Sequence, residues 1–415
     1  MRDEVIVIGA GQAGLCASYC LTGKGIQHAV LEAGAVGETW RSQRWDSFCL
    51  VTPNWTVQLP GMTLRGDPDG FLRCSEYIEF IEQFADSFSA PVEPSTRVLS
   101  VRPGRTGARF DLETTRGRRR CNGLIVCCGM YQSIRRPAAA RNLPGDIEQI
   151  DVDSYRNPDM LQKGAVLVVG SGQSGTQVAE EIHGSGRDVF LSIGKTGRIP
   201  RRYRGRDLSC WQFDMGHLKR TVDQLDSPAD RFRSDPHVSG RRGGYTISLH
   251  QFARDGIQLL GTLESVSGNS IRLADNLAAN MRSADEYAEA FCRSVDAYVL
   301  ENSIPAPAPD DENSDLGGAA GSCPNSPLEI DLRAAGIRTV VWATGFAFDF
   351  SWIDFPIFDE FGYPYTKRGA TEVEGLYFLG LNWLHTRKSG IILGAACDSR
   401  FVVEHLLGHE KVLAA

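Results

Sequence analysis

The stretch VIVIGAGQAGLCASYC, residues 5–20, carries a pattern that the chain repeats in VLVVGSGQSGTQVAEEI, residues 166–182. Each copy has an apolar run, then glycines at G-x-G-x-x-G spacing, then a segment with helical periodicity. The first glycine permits a tight turn, the second lets a phosphate approach the backbone, and the third lets helix and strand pack closely. Amide groups at the helix start offer donors to the anion. Two copies therefore predict two dinucleotide-binding βαβ units.

The end of the second strand in the first unit indicates what that unit binds. Glu32 lies 18 residues after Gly14, close to the roughly 20-residue spacing of an acid that holds ribose hydroxyls. Such an acid suits an adenosine without a 2′-phosphate, as in FAD or NAD. We therefore expect FAD at the first fingerprint, whose candidate contacts are Gly9, Gly11, Gln12, Ala13, Gly14 and Glu32.

The second unit has no acid at the matching place, since Ile193 lies 18 residues after Gly175. The cations that follow are Lys195, Arg198, Arg201 and Arg202. A cation there favours the 2′-phosphate of NADP, although the run is also typical of a solvated basic loop. We expect NADPH at the second fingerprint. The candidate contacts are Gly170, Gly172, Gln173, Ser174, Gly175, Lys195, Arg201 and Arg202.

Composition limits the classes of protein to consider. The chain has 415 residues, 42% hydrophobic and 23% charged, with a formal net charge of -7. This length suggests about two domains, and the negative charge gives no reason to expect nucleic acid or an anionic membrane as a partner. No run approaches the roughly 20 apolar residues of a spanning helix, and we expect no signal peptide before the first strand.

The 11 cysteines form no C-x-x-C pair. This usage favours a reduced, cytoplasmic protein, and no metal site is expected. The adjacent Cys127 and Cys128 are interpreted as small buried hydrophobes in a strand.

Between the fingerprints the sequence predicts a β-meander over 97–101, 108–114 and 123–128, with the basic RGRRR at 116–120 as a solvated hairpin tip. Beyond the second unit, up to about residue 300, hydrophobic periodicity is poor. The Pro-, Gly- and acid-rich segment 304–327 is typical of a flexible surface loop. The second unit is thus predicted to be inserted within the first domain, which resumes after about residue 328.

Four motifs and the C-terminal stretch give the chain a family resemblance. They are GAGQAG at 9–14, GETWR at 37–41, GSGQSG at 170–175, ATGF at 343–346 and GLYFLG…SGIILGAACD at 375–398. With them the chain resembles the two-dinucleotide flavoproteins, most closely the flavin-containing monooxygenase-like (class B type) group.

The resemblance implies an α/β fold of two Rossmann-like dinucleotide-binding domains. The arrangement is that of glutathione-reductase-like two-domain flavoproteins, with the NADP domain inserted in the FAD domain. The expected ranges are 1–160 for the first part of the FAD-binding domain, 161–328 for the NAD(P)H-binding domain and 329–415 for the second part of the FAD-binding domain.

The resemblance also implies roles for single residues near the flavin. Trp40 and Arg41 match the family's segment beside the flavin. Asn54 is a candidate to approach the flavin ring, although a turn in TPNW explains it equally well. The ATG residues implied as cofactor contacts are Ala343, Thr344 and Gly345.

The last helix, with Gly390 and Asp398, is implied to point its N-terminus at the flavin pyrimidine and to stabilise the negative charge of reduced flavin. His385, just before that helix, is a candidate proton donor on the substrate side, although a lone histidine is more often structural.

The activity that the resemblance implies is that of an NADPH-dependent FAD monooxygenase. Hydride passes from NADPH to FAD, and a C4a-(hydro)peroxyflavin formed with O2 oxygenates a small molecule at nitrogen, sulfur or a carbonyl. The expected partners are a small-molecule substrate and O2, and a homodimer is compatible with the sequence.

One motif departs from the family. The signature FxGxxxHxxx(Y/F) should precede the second fingerprint, where the chain reads LPGDIEQIDVDSYRNP, residues 143–158. Tyr155 fits the terminal aromatic residue, but Asp151 or Gln149 stands where histidine is expected. Two alternatives therefore stay open. One is an NAD(P)H:acceptor flavin oxidoreductase or oxidase, and the other is a non-catalytic flavin-binding sensor.

Overall fold

The computed structural model describes residues 4–105, 107–308 and 324–408, so most of the predicted surface loop at 304–327 lies outside the described residues. The strands are β1 (Val5–Ile8), β2 (His28–Leu31), β3 (Gln58–Leu59), β4 (Met62–Thr63), β5 (Val92–Glu93), β6 (Val98–Pro103), β7 (Phe110–Thr114), β8 (Gly117–Cys121), β9 (Gly123–Val126), β10 (Ser133–Ile134), β11 (Glu148–Asp151), β12 (Ala165–Val169), β13 (Val189–Ser192), β14 (Arg202–Tyr203), β15 (Arg206–Asp207), β16 (Val238–Ser239), β17 (Tyr245–Thr246), β18 (Gln258–Leu260), β19 (Leu263–Ser267), β20 (Ser270–Leu273), β21 (Glu329–Asp331), β22 (Ile337–Trp342), β23 (Phe346–Ala347) and β24 (Leu376–Phe378). The α-helices are α1 (Gln12–Gly23), α2 (Glu38–Ser42), α3 (Cys74–Ser87), α4 (Gln173–Gly184), α5 (Leu208–Asp214), α6 (Leu249–Asp255), α7 (Leu277–Glu301) and α8 (Ile392–Leu406).

Two five-stranded parallel sheets organise the chain, one behind each fingerprint. The first has the order β24-β9-β1-β2-β5. All four residues of the central strand β1 are buried, as its unbroken apolar run predicts for a strand covered on both faces. Helices α1 and α8 contribute to one hydrophobic core beside this sheet. The turn after β24 approaches α1 closely, because a Cβ on Gly380 would lie 2.8 Å from the Cβ of Ala13.

The second sheet has the order β11-β22-β12-β13-β18, and each neighbouring pair is parallel. Its central strand β12 is again buried at every residue, and α4 follows it. Each fingerprint therefore lies at the carboxyl end of a central strand, where parallel sheets bind ligands. The α/β fold with two Rossmann-like units is confirmed.

Strand membership favours domain boundaries that differ from the expected ranges, which stay a prediction. Residues 148–151 and 337–342 were assigned to the FAD-binding domain, but they form β11 and β22 of the second sheet. β22 pairs in parallel with both β11 and β12. Nearly all of its side chains are buried, as is typical of an interior strand of a parallel sheet. We propose that the second domain runs from β10 to β23, the two short strands that pair with each other as the chain crosses between sheets.

The predicted meander is present but shifted along the chain. It consists of β6, β7 and β8, so the basic stretch 116–120 lies largely in a strand and is not only a hairpin tip. Arg119 is buried there because its guanidinium forms a two-pronged ion pair with Glu93 at 2.7 and 2.8 Å. The segment 123–126, expected to be the third meander strand, is β9 of the first parallel sheet.

Helix α7 was not predicted, although its buried side chains recur at three- and four-residue spacing, as at Leu277, Met281, Ala284 and Ala288. It spans 25 residues and brings two polar side chains to the loop after β13. Asn280 donates to the Ile193 carbonyl at 3.1 Å, and Asp285 pairs with Arg198 at 2.7 Å. Within the three described ranges, no helix is long and apolar enough to cross a membrane.

The third glycine of a fingerprint provides a test of the strand–helix packing. A Cβ on Gly14 would overlap the carbonyl oxygen of Gly9, whereas a Cβ on Gly23 at the other end of α1 meets no atom within 4 Å. We expect Gly14→Ala to destabilise the protein by about 2 kcal/mol or more, as overpacking does. Gly23→Ala should be neutral or slightly stabilising, because alanine favours helix. Thermal unfolding of the two variants checks this, and equal midpoints would contradict the packing.

Candidate functional site

The first fingerprint forms the turn that its spacing predicts. Gly9 has a φ of 104°, and its amide donates to the Leu31 carbonyl at 2.8 Å. Gly14 packs against Gly9, while a Cβ on Gly11 would meet no atom within 4 Å. Gln12 and Ala13 open α1. The turn therefore presents the start of α1 to an open space beside Gly11, as a bound pyrophosphate requires.

Glu32 lies at the end of β2, as predicted, and is buried. One carboxylate oxygen accepts the Ala10 amide at 2.7 Å, and the other accepts the Gly34 amide at 2.9 Å. These bonds fix the carboxylate beside the fingerprint turn. Because an ionised carboxylate offers about four acceptor sites, it can still accept from ribose hydroxyls.

The second fingerprint repeats this geometry. Gly170 has a φ of 107°, and Gly175 packs against its carbonyl oxygen. Gln173 and Ser174 open α4, and Gln173 also accepts the Val238 amide at 3.1 Å. A Cβ on Gly172 would approach a single atom within 4 Å, the hydroxyl oxygen of Ser234 at 3.9 Å. The space beside Gly172 is thus open except on the side of Ser234.

Each fingerprint faces a second small-residue turn from the neighbouring strand. Cys127 follows β9, and its carbonyl oxygen would lie 2.6 Å from a Cβ on Gly9. Ala343 follows β22 and closes on Gly170 in the same way. The ATG residues Ala343, Thr344 and Gly345 therefore lie beside the second fingerprint, and the Thr344 hydroxyl donates to the Arg135 carbonyl at 2.6 Å.

The CCG turn at 127–129 was not among the predicted site residues. The signal was available, because CCG follows the apolar GLIV as ATG follows VVW. Cys127 is buried as expected, and burial raises the pKa of Cys128 to about 12. Both thiols therefore stay protonated, as small buried hydrophobes do.

The basic loop after β13 separates into buried and exposed cations. Arg198 is buried and pairs with Asp285, and Arg201 is buried and pairs with Asp207 at 2.7 Å. The Arg201 guanidinium also lies 4.3 Å from the centre of the Phe71 ring. Arg201 as a contact of the 2′-phosphate stays a prediction, and its ion pair disfavours it, because leaving Asp207 without its partner is costly.

Lys195 and Arg202 are the exposed cations of this loop. The Arg202 guanidinium donates to the Gly244 carbonyl at 2.9 Å and the Gly243 carbonyl at 2.7 Å. The Lys195 ammonium is exposed and makes no hydrogen bond or ion pair with the described residues. Lys195 follows the carboxyl end of β13, where the ribose end of a dinucleotide lies. It remains the best candidate for a 2′-phosphate.

Trp40 and Arg41 lie on the short helix α2 beside the first fingerprint. The Trp40 indole donates to the Gln12 side chain at 3.3 Å, which joins α2 to the start of α1. Arg41 is exposed and forms an ion pair with Glu82 of α3. Trp40 therefore borders the predicted flavin site directly. Arg41 instead attaches α2 to α3, and so affects that site by fixing the position of α2.

Both ends of the Asn54 amide are taken by backbone groups of its own loop. Its nitrogen donates to the Asp67 carbonyl at 2.9 Å, and its oxygen accepts the Leu72 amide at 3.0 Å. This geometry favours the turn-holding role over an approach to the flavin. Asn54 as a catalytic residue stays a prediction without structural support.

Buried acceptor oxygens lie in the segment before α8 and in α8 itself. Asp398 Oδ2 and Asn382 Oδ1 are buried and have no hydrogen-bond partner among the described residues. A Cβ on Gly390 would lie 2.8 Å from the Cα of Asn382, so only glycine lets these segments approach so closely. These unpaired acceptors suit a ligand that brings donors, because a buried acceptor without a partner is costly.

His385 and Asp398 influence each other across this segment. Burial raises the pKa of Asp398, opposed by a hydrogen bond from Ser389 and by the nearby His385. Burial lowers the pKa of His385, assisted by Arg368 and opposed by Asp398. His385 is therefore held toward its neutral form beside a buried carboxyl group, an arrangement in which it can accept a proton.

An ion pair occupies the region where the family signature has histidine. Asp151 binds the guanidinium of Arg136 through both oxygens, at 2.7 and 3.0 Å, and Gln149 accepts from the Trp342 indole at 3.1 Å. Tyr155 is buried, and its hydroxyl donates to Glu181 at 3.3 Å. These side chains hold the edge strand β11 to its surroundings.

The residues present fit one dinucleotide at each fingerprint. Gly11 and Gly172 each leave open the space that a side chain would fill, and Glu32 and Lys195 give the two sites opposite charge at the ribose end. Among the described residues, no group of three or more His, Cys, Asp or Glu side chains is arranged to hold a metal ion.

Comparisons with known proteins agree with this geometry. A family model described as pyridine nucleotide-disulphide oxidoreductase matches residues 6–211. An uncharacterized oxidoreductase, CzcO-like, of Geobacillus kaustophilus is 31% identical over 98% of this chain and 99% of its own length.

Solved structures share the fold at lower identity. A flavin-containing monooxygenase from Stenotrophomonas maltophilia has a TM-score of 0.64 at 17% identity, covering 98% of this chain and 99% of that chain. A bacillithiol disulfide reductase from Bacillus cereus has a TM-score of 0.63 at 16% identity, covering 99% of this chain and 100% of that one. The resemblance to flavin-containing monooxygenase-like flavoproteins is confirmed at the level of fold.

The exposed cations Lys195 and Arg202 are predicted to differ in their effect on the preference for NADPH over NADH. We expect a preference for NADPH over NADH of roughly tenfold to a hundredfold at low salt, since a charge-assisted bond is worth about 1.5–3 kcal/mol. Lys195→Ala should remove most of it, whereas Arg202→Ala should keep it, because Arg202 is directed at the Gly243 and Gly244 carbonyls. Apparent affinities from flavin reduction measure both. Equal use of the two nucleotides by the wild type would show that the loop is merely solvated.

Proposed function

Because the chain belongs to the CzcO-like oxidoreductases, we propose that it is an NADPH-dependent FAD monooxygenase acting on a small molecule with O2. The observation that carries the proposal is the pair of open glycine turns, each at the carboxyl end of a central parallel strand. Two such turns in one chain support the binding of two dinucleotides. Hydride transfer between the two cofactors requires that they meet.

The first site is proposed to bind FAD. The start of α1 and Gly11 receive the pyrophosphate, Glu32 holds the ribose, and Trp40 borders the site through its bond to Gln12. When bound, FAD supplies the redox chemistry by accepting hydride from NADPH and reacting with O2.

The segment before α8, together with α8 itself, is proposed to hold the polar edge of the flavin. Asp398 and Asn382 offer buried acceptor oxygens to its N–H groups. Helix α8 begins at Ile392, just after Gly390 in the sequence, and the dipole at its N-terminus stabilises negative charge. Burial lowers the pKa of His385 nearby, and its proposed role is to move a proton at the substrate side.

The second site is proposed to bind NADPH through the start of α4 and Gly172, with Lys195 at the 2′-phosphate. This site argues against a sensor without turnover, since a sensor has no need of a hydride donor. The oxidase or acceptor-reductase alternative keeps one specific observation in its favour. The Arg136–Asp151 ion pair stands where the monooxygenase signature has histidine.

Other features of the proposal concern place and partners. All ten cysteines in the described part of the chain are free thiols, which supports the proposal of a reduced, cytoplasmic protein. A homodimer stays a proposal to be tested by sedimentation.

A pair of matched variants distinguishes the two dinucleotide sites. Gly11→Val and Gly172→Val each place a side chain in open space, so we expect both proteins to fold. Gly11→Val should lose its flavin, and Gly172→Val should stay yellow but no longer be bleached by NADPH. Flavin absorbance after desalting and after anaerobic NADPH addition reports both results. The opposite pattern would mean that the two assignments are exchanged.

The reaction with O2 tests monooxygenation against the oxidase alternative. We expect NADPH-reduced protein mixed with O2 to pass through a lasting spectrum that is neither that of oxidised nor of reduced flavin. Hydrogen peroxide should then appear more slowly than that spectrum forms, because a monooxygenase retains the oxidising equivalent until substrate arrives. Stopped-flow absorbance with a peroxide assay measures both. Prompt peroxide release, with direct return of oxidised flavin, would favour the oxidase.

A further inference from the structure

A segment of the second domain reaches across to the flavin half of the molecule. We call residues 217–240 the strap. Its first part lies along the segment before α8, where Thr221 forms an antiparallel bridge with Thr386. The Val222 amide donates to the His385 carbonyl at 3.0 Å, and the Asn382 side chain donates to the Arg231 carbonyl. This end of the strap is therefore attached to the proposed flavin site.

The other end of the strap is attached to the second fingerprint. The Val238 amide donates to the Gln173 side chain at 3.1 Å, and the Gln177 side chain donates to the Val238 carbonyl at 2.9 Å. The His237 amide donates to the Gly197 carbonyl at 3.1 Å, and its ring is fully buried. Gln173 and Gln177 belong to α4, so this end is held against the helix that opens the NADPH site.

Ser234 lies between these two attachments and is held on both sides. Phe232 packs against Phe361 and Tyr363, with ring centres 5.3 and 6.0 Å apart. Asp235 forms an ion pair with Arg387, which precedes α8. Ser234 itself is exposed, and its hydroxyl makes no hydrogen bond with the described residues.

The Ser234 hydroxyl faces the space where an anion would meet the second fingerprint. Its oxygen lies 3.9 Å from the position of a Cβ on Gly172, and in the described part of the chain no other side chain or distant backbone atom comes within 4 Å of that position. The corresponding space at Gly11 of the first fingerprint has no such neighbour. The second glycine of the motif is the residue that lets the backbone approach a pyrophosphate. The Ser234 hydroxyl therefore lies beside that space, where its O–H can donate a hydrogen bond to a bound anion.

We propose that the Ser234 hydroxyl binds the pyrophosphate of the pyridine nucleotide from the side opposite α4. This inference rests on the proposed function, because it takes the second fingerprint as the nucleotide site. The nucleotide then lies between the start of α4 and the strap, and the strap is attached to the segment before α8. Ser234 is a binding residue that distinguishes the second site from the first.

The test separates a pyrophosphate contact from a 2′-phosphate contact. Ser234→Ala in the FAD-loaded protein should weaken NADPH and NADH alike, by about tenfold, which corresponds to about 1.4 kcal/mol. Both nucleotides carry the pyrophosphate, whereas Lys195→Ala should weaken NADPH alone. The apparent affinities come from anaerobic flavin reduction, and the limiting rate of reduction should change little. Inhibition by ADP-ribose should weaken in Ser234→Ala, while inhibition by adenosine 2′-monophosphate, which has no 5′-phosphate, should not.

The control is Ser227→Ala on the same strap. Ser227 is exposed at the start of a short turn, so Ser227→Ala removes a hydroxyl from the strap and keeps the one beside Gly172. The control should keep both nucleotide affinities. Unchanged affinities in Ser234→Ala, or an equal loss in Ser227→Ala, would overturn the inference. If neither nucleotide reduces the wild-type flavin, the proposed function itself fails.

Discussion

The packing of the third fingerprint glycine onto the carbonyl oxygen of the first is the contact on which both halves of the molecule depend. At Gly14 and at Gly175 a Cβ would overlap that oxygen, so helix and strand approach as closely as the backbone allows. This approach brings the first turn of each helix to the carboxyl end of its strand. It leaves the middle glycine facing open space, where the helix amides can receive an anion.

The two sheets are joined by more than the chain crossings. Strands β10 and β23 pair where the chain passes between them, and the strap forms a second connection from α4 to the segment before α8. Helix α7 supports the loop after β13 through Asn280 and Asp285. A nucleotide at the second fingerprint therefore lies among elements that are tied to the flavin half, which suits hydride transfer between fixed partners.

The charges around the second site are divided by burial. Arg198 and Arg201 are both buried, and each has a carboxylate partner that compensates the cost of removing a cation from water. Lys195 has no such partner among the described residues and remains in solvent. At the other site, Asp398 Oδ2 and Asn382 Oδ1 are buried without partners in the described ranges, which is the arrangement expected of a surface that a ligand completes.

Local sequence determined the two βαβ units, because glycine spacing and apolar runs act within about thirty residues of chain. It also determined Glu32 at the end of β2, since strand length and turn geometry place that residue without help from distant segments. Tertiary structure alone decided that β22 enters the second sheet, that Asn54 holds its own loop, and that Arg201 is buried. It also brought Ser234 to Gly172 across 62 positions of sequence. These outcomes depend on which partner a strand, amide or cation finds, and such a choice leaves no periodic signal in the sequence around the residue.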